Sequence, residues 1–232
     1  MWKILNYIIL SSLLCIIGIQ PVAAQSDEKK ETAKKDSIGL WQGILVETDL
    51  VPLVQTAIVN KDIFRFQGNV QVNLKNKYFP TLEAGFAGAK KSSAEDVQFK
   101  TYGLFGKVGI DIPVFKPKDK STQESNLFLA GIRLGMSHFN YSLNNLTITD
   151  GYWGGTEPIN FDKIATTKFW FEINAGIRVE VFKNIFMGWN IKNRHLINKA
   201  KPGEIAPWYI PGYGIGKDSD WGFSYTLGYR FK

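Results

Sequence analysis

The sequence alternates between apolar and polar side chains over several long stretches, and this pattern constrains the fold more than any other feature. In residues 64–74, phenylalanine, valine and leucine fall on one parity, while arginine, glutamine and asparagine fall on the other. Successive side chains of a β-strand point to opposite faces, so a period of two predicts a strand with one apolar and one polar face. Residues 169–181 and 221–231 repeat the pattern. We therefore predict an all-β fold.

Five weaker segments bring the expected number of strands to about eight, the size of the smallest outer-membrane barrels. The phase of the first segment is ambiguous around Trp41 and Gln42, whereas the others alternate more clearly. The five segments are residues 39–48, 81–88, 100–112, 127–138 and 185–191.

The connections between these segments alternate between short and long. Short turns are expected at residues 75–77 and 183–184, the second a two-residue hairpin candidate, and a polar run at 116–125 links two further segments. Longer loops are expected at residues 51–62, 89–97, 143–166 and 198–219. An even number of strands with short turns at one end and longer loops at the other predicts a closed up-and-down antiparallel transmembrane β-barrel, with both termini in the periplasm.

The first residues have the pattern of an export signal. Lys3 precedes an apolar run, residues 4–19, and Val22-Ala23-Ala24 supplies a cleavage site. The run is short for a membrane-anchor helix, and the large residue before Cys15 disfavours a lipoprotein. We expect residues 1–24 to be a signal peptide, 25–38 a flexible periplasmic lead-in and 39–232 the barrel, which places the protein in a Gram-negative outer membrane.

Periodicity alone leaves open whether the apolar face points inward, as in a soluble lipocalin-like barrel, or outward, as in a membrane barrel. The polar face favours the membrane barrel, because a narrow interior suits glycines and encloses charges that then need partners. The glycines are Gly103, Gly109, Gly135, Gly176, Gly188, Gly222 and Gly228. The charges are Glu83, Asp111, Glu172, Glu180, Arg65, Lys107, Arg133, Arg178, Lys192, Arg194 and Arg230.

Aromatic residues collect near the ends of the apolar faces, which is typical of the two interfaces of a membrane. Those expected at the outer rim are Phe64, Phe66, Phe169, Phe171, Trp221 and Phe223, and those at the inner rim are Tyr229 and Phe231. The last strand closes on an aromatic residue beside the terminus, a feature that resembles the strand recognised by barrel-assembly machinery. We therefore expect that machinery as a partner.

Three strings of the sequence resemble a family of outer-membrane-type proteins from Bacteroidota, the domain of unknown function 6048. They are Tyr152-Trp153-Gly154, the stretch 175–184 (AGIRVEVFKN) and the stretch 209–213 (YIPGY). The resemblance implies the barrel and its location, and it implies no activity.

The remaining chemistry points to binding rather than catalysis. The net charge of +7 suits the anionic head groups of outer-membrane lipid and lipopolysaccharide, and its scatter along the chain does not predict nucleic-acid binding. Two histidines outside any metal-ligand spacing predict no metal site and no cofactor. Exposed loop aromatics suit an extracellular glycan or protein, although they could equally pack over the barrel mouth. They are Tyr152, Trp153, Trp208, Tyr209 and Tyr213.

Two other functions remain as alternatives. The first is a lipid-facing enzyme acting on lipid A, with His138 and Ser142 on one face near the outer rim. Four residues of extended strand separate them by about 13 Å, too far for direct contact without a bend. The second is a pore, which about eight strands and a charge-filled lumen disfavour.

Overall fold

The computed structural model describes residues 39–59, 62–93, 96–115, 126–149, 156–200 and 204–231. The predicted signal peptide and lead-in lie outside these residues. Within them, no helix is long and apolar enough to cross a membrane. The elements are β1 (Trp41–Asp49), α1 (Val51–Val54) continued by a π-helical turn (Gln55–Val59), β2 (Ile63–Leu74), β3 (Phe79–Ser92), β4 (Gln98–Pro113), β5 (Asn126–Thr149), β6 (Thr156–Phe182), β7 (Ile185–Leu196), β8 (Tyr209–Ile210), β9 (Gly214–Ile215) and β10 (Ser219–Phe231).

Eight of the described strands form a closed barrel in the order β1-β10-β7-β6-β5-β4-β3-β2. Each strand pairs antiparallel with its neighbours, and β1 closes the ring against β10 from Ile44↔Phe231 to Asp49↔Thr226. The predicted up-and-down barrel of about eight strands is confirmed. The short β8 and β9 form a separate hairpin. We call the end that carries the 74–79 and 182–185 connections the turn end, and the opposite end the loop end.

A β-bulge explains why the first strand has no clean phase in the sequence. The register of β1 against β2 shifts between Trp41 and Ile44, and Gly43 lies at φ 115°. A bulge inserts one extra residue and so resets the alternation. Beyond it, Glu47 and Asp49 face the interior and are buried.

The connections match those predicted from the sequence at the turn end and differ from them at the loop end. Lys183 and Asn184 form the expected two-residue turn, with Asn184 at φ 65°. The long loop expected at 143–166 is wrong, because β5 and β6 continue as a paired hairpin to Thr149↔Thr156. Register shifts near Leu143 break the alternation there and conceal the strands. The 198–219 connection contains β8 and β9, and the 51–62 connection contains α1.

The apolar face points outward, opposite to a lipocalin-like barrel. Leu104 and Ile132 are 71% and 62% exposed on the exterior, whereas Glu83 and Lys107 are each 2% exposed in the interior. The aromatics expected at the rims all lie on the exterior face. The six expected at the outer rim lie toward the loop end, and Tyr229 and Phe231 lie toward the turn end. The barrel therefore has the polarity of a transmembrane barrel, with an apolar belt outside and charge inside.

Candidate functional site

A network of paired charges fills the middle of the barrel. Glu83 lies 3.1 Å from Lys107 and 2.5 Å from Arg133, which link β3 to β4 and β5. Lys107 also lies 3.0 Å from Glu172 on β6, and Arg133 lies 3.0 Å from Asp111. The prediction that the enclosed charges are paired is confirmed. We call this set the charged layer.

Further pairs extend the charged layer around the ring. Arg178 lies 3.6 Å from Glu47, and Arg230 lies 3.4 Å from Glu180. Glu47 and Asp49 were missed as interior acids because the β1 bulge hides their parity. Two cavities among the described residues border the layer, and each measures about 20 Å³. Each has room for about one water molecule.

An apolar layer covers the charged layer toward the loop end. Phe105, Phe139 and Trp170 project inward from the strands and are almost fully buried. The segment from Tyr209 to Tyr213 inserts among them, with Ile210 1% and Tyr213 0% exposed. We call this segment, which includes β8, the plug.

Tight fit and hydrogen bonds hold the plug in the mouth. Gly212 adopts φ +79°, and a Cβ added there would overlap the Phe105 ring. The Tyr213 carbonyl oxygen accepts a hydrogen bond from Arg194 Nη1. The Tyr213 hydroxyl donates to the Lys217 carbonyl oxygen across 2.7 Å. Burial raises the pKa of Tyr213 to about 12, and nearby Asp220 adds to the shift, so the phenol stays neutral.

The five loop aromatics proposed from the sequence have different environments. Tyr209 and Tyr213 are buried in the plug, and burial also raises the pKa of Tyr209. Trp208 remains 37% exposed and stacks on Phe99 with ring centroids 5.4 Å apart. Tyr152 and Trp153 lie outside the described residues. Trp208 is therefore the one of the three described aromatics whose ring reaches solvent.

The structure places His138 and Ser142 on the exterior of β5 with different partners. His138 Nδ1 lies 2.9 Å from Thr167 Oγ1. Ser142 Oγ accepts a hydrogen bond from the Lys163 backbone nitrogen across 3.3 Å. Each side chain thus contacts β6 rather than the other, and no described carboxylate forms a hydrogen bond with His138.

Lysines gather on the exterior where β3 and β4 reach the loop end. Lys90 and Lys100 are directly opposite each other across the two strands, and both are exposed. Lys163, which is also exposed, lies on β6, two strands from the β4 residue Lys100, and its backbone nitrogen contacts Ser142. None of the three forms an ion pair with another described residue. Like charges directly opposite each other are destabilising, so an anion between them would stabilise this surface.

The barrel wall has a gap between β2 and β10, beyond the loop end of β1. Pairing of β1 with β10 ends at Asp49↔Thr226, and pairing with β2 ends at Thr48↔Gly68. In the described chain, no strand pairs with residues 219–224 or 63–67 on this side. The helical segment 51–59 fills the position instead, and the Leu50 nitrogen donates to the Tyr225 carbonyl oxygen across 2.8 Å.

A cavity of about 370 Å³ occupies this gap. We call it the lateral cleft. It is lined by Val51 of α1, Arg65 of β2 and Asp220, Trp221 and Phe223 of β10.

Comparisons with known proteins give a family and two similar folds. The Ail attachment invasion locus protein of Yersinia pestis, solved with the heparin analogue sucrose octasulfate, is 9% identical with a TM-score of 0.39; the match covers 82% of this chain and 94% of Ail. Neisserial surface protein A (NspA) is 11% identical with a TM-score of 0.41, over 82% of this chain and 98% of NspA.

The comparison with curated proteins gave no match. The family model described as a domain of unknown function, DUF6048, matches residues 4–231, which is nearly the whole chain. The chain therefore belongs to the DUF6048 family.

Proposed function

We propose that this protein is an exported outer-membrane barrel that binds its partners at the loop end, which faces the cell exterior. The observation that carries the proposal is the reversed polarity of the barrel, in which large apolar side chains cover the exterior and paired charges fill the interior. Such an exterior is favourable in lipid and costly in water. Export by residues 1–24 and closure by barrel-assembly machinery are parts of the same proposal.

The packed interior favours binding over conduction. The charged layer fills the middle of the lumen and the plug fills the lumen nearer the loop end. The two cavities that border the charged layer each have room for about one water. A barrel of eight strands is just wide enough for its side chains to fill. The barrel thus serves as a rigid support for its loop end rather than as a water channel.

Among the described residues, the hairpin of β5 and β6 continues beyond the strands that flank it at the loop end. Pairing with β4 ends at Gln98↔Asn144, while the β5–β6 pairing continues to Thr149↔Thr156. The last five residues of β5 therefore project about 16 Å beyond their neighbours. An extracellular glycan or protein would meet this hairpin and Trp208 first.

Anionic lipid is the partner class that the exterior lysines favour. Lys90, Lys100 and Lys163 lie just beyond Tyr102 and Leu104, which belong to the apolar belt. Phosphate groups of lipopolysaccharide would lie at the level of these lysines and neutralise their repulsion. Lipopolysaccharide is therefore proposed as a ligand of this surface.

Cysteine labelling tests the location and orientation. In a Cys15→Ser background, we expect an impermeant maleimide to label Ala165→Cys on intact cells, because residue 165 is exposed near the loop end. Lys183→Cys, at the turn end, should react only after the outer membrane is permeabilised. Labelling of Lys183→Cys alone on intact cells would overturn the orientation, and recovery of the protein in a soluble fraction would overturn the location.

Binding to lipopolysaccharide tests the lysine surface. For the purified barrel in detergent, we expect Lys90→Gln with Lys100→Gln to weaken binding at least ten-fold at low salt. The matched control is Lys77→Gln with Lys183→Gln at the turn end, which should leave the affinity unchanged. Equal losses in both double variants would show that general charge, not this surface, binds the lipid.

A further inference from the structure

The lateral cleft is open through the barrel wall, as the parity of its lining shows. Along β10, Trp221 and Phe223 belong to the exterior face, whereas Asp220 and Gly222 belong to the interior face. All four line the same cavity. Side chains from both faces of a strand can border one space only where a neighbouring strand is missing. The cleft therefore connects the lipid-facing exterior with the mouth of the barrel.

The two sides of the cleft differ in chemistry. Val51, Ile63, Ile215, Trp221 and Phe223 supply apolar surface. Trp221 is 71% exposed at the height of the other loop-end aromatics, so the apolar side begins where lipid tails would reach it. The volume of about 370 Å³ is within the range of small-molecule sites, about 300–1,000 Å³.

Two arginines lie on the interior side of the cleft. Arg65 contacts Asp49 only at 3.8 Å, beyond hydrogen-bond distance, and its Nε has no hydrogen-bond partner in the described structure. Arg194 is more fully engaged, by Asp220 at 3.4 Å and Glu172 at 3.6 Å, although its Nε also has no hydrogen-bond partner there. A guanidinium offers five donors in a planar fork that matches phosphate and carboxylate groups. Arg65 therefore keeps donors for an anionic head group.

Individual hydrogen bonds attach the helical segment, which forms one wall of the cleft, to the ends of β1 and β2. Thr56 Oγ1 lies 3.1 Å from the Ile63 carbonyl oxygen, and the Val51 nitrogen donates to Asp49 Oδ1 across 3.1 Å. These contacts replace the continuous ladder that a strand would supply. A chain entering between this segment and β10 would separate side chains without breaking the pairing of β10 with β7.

We propose that the lateral cleft binds one amphiphile with a single acyl chain and an anionic head group, which enters sideways from the lipid. The acyl chain lies against Trp221, Phe223 and Val51, and the head group binds Arg65. This site is distinct from the exterior lysines, and the supply of ligand from the outer leaflet rests on the proposed outer-membrane location. The head group is a phosphate if the ligand comes from membrane lipid and a carboxylate if it is a free fatty acid.

Native mass spectrometry of the purified full chain in maltoside micelles tests the proposal. We expect one retained molecule of dodecyl phosphate or of dodecanoate per barrel at saturation. Retention of the phosphate indicates a membrane lipid, and retention of the carboxylate alone indicates a fatty acid. If neither anionic amphiphile is retained above the neutral maltoside, the proposal is overturned.

Two variants and one matched control locate the site. Arg65→Gln should weaken retention at least ten-fold, and Ile215→Trp, which fills the cleft from an exposed position, should abolish it. Arg230→Gln removes another interior arginine at the turn end, paired at 3.4 Å, and should leave retention unchanged. Heat-modifiable migration checks that each variant folds. Equal retention by wild type, Arg65→Gln and Ile215→Trp would overturn the site, while the labelling experiment on cells would stand unaffected.

Discussion

The indole nitrogen of Trp170 donates a hydrogen bond to the Glu172 carboxylate across 2.9 Å, and both side chains are 0% exposed. This bond joins the apolar layer to the charged layer along a single strand. The same carboxylate lies 3.0 Å from Lys107 and 3.6 Å from Arg194. Glu172 thus connects the plug, through Arg194, to the middle of the barrel.

Glu172→Gln should destabilise the barrel strongly. The change removes the negative charge that pairs with the buried side chains of Lys107 and Arg194. Leaving a buried charge without its partner lowers the free energy of unfolding by about 3–5 kcal/mol. Urea unfolding in lipid vesicles, followed by heat-modifiable migration, measures the loss. The matched control is Asp218→Asn, which removes an exposed carboxylate 2.6 Å from Lys199 and should cost at most about 1 kcal/mol. Similar losses in both variants would contradict the role of the charged layer.

Gly135 makes room for the Trp170 ring on the neighbouring strand. The two residues are directly paired, and a Cβ added at Gly135 would overlap the indole. We expect Gly135→Ala to cost about 1–3 kcal/mol, because overpacking a filled interior forces side chains from their rotamers.

A double-mutant cycle separates this overlap from a general effect of alanine. Trp170→Leu should reduce the cost of Gly135→Ala by about 1–2 kcal/mol, since the smaller side chain no longer occupies the space. Gly68→Ala is the control, because nothing lies within 4 Å of a Cβ added there. Strict additivity of the two changes would refute the steric explanation.

The sequence predicts the parts of this fold in which alternation runs without interruption. Phe64 and Phe66 lie outward and Lys107 and Arg133 inward because uninterrupted parity assigns each strand one face to lipid. The interior position of Glu47 was not predicted, because the bulge after Trp41 resets the parity of β1. The strands in the outer part of the β5–β6 hairpin were not predicted for the same reason, since two register shifts interrupt their alternation.

The burial of the plug could not be predicted from the sequence for a different physical reason. Tyr209 and Tyr213 lie in a segment with neither a strand period nor a helix period, and only long-range contacts with Phe105 and Trp170 bury them. The lateral cleft depends on where β1 ends relative to β2 and β10. Such relative lengths are properties of the assembled barrel, and no local pattern encodes them.

Gly212→Ala should release the plug from the mouth. The left-handed backbone at Gly212 is unfavourable for alanine, and the added methyl group would overlap Phe105. We expect faster tryptic cleavage after Lys217, which is exposed beside the plug, with the barrel itself still heat-modifiable. Ile215→Ala, at a position 53% exposed, is the control and should be cleaved at the wild-type rate. An unchanged rate for Gly212→Ala would mean that the mouth can accommodate the methyl group.

The Tyr213 phenol gives the plug a pH dependence that can be measured directly. Its pKa is raised to about 12 in the folded protein, chiefly by burial, against about 10 for an unfolded chain. A raised pKa means that folding favours the protonated phenol, so this contribution to stability is complete below about pH 10 and declines as the pH rises through about 12. The difference in tyrosinate absorbance between wild type and Tyr213→Phe should therefore show one group titrating near pH 12. In the urea-unfolded proteins the same difference should move to about pH 10. A titration near pH 10 in the folded protein would place the hydroxyl in water and contradict its burial in the mouth.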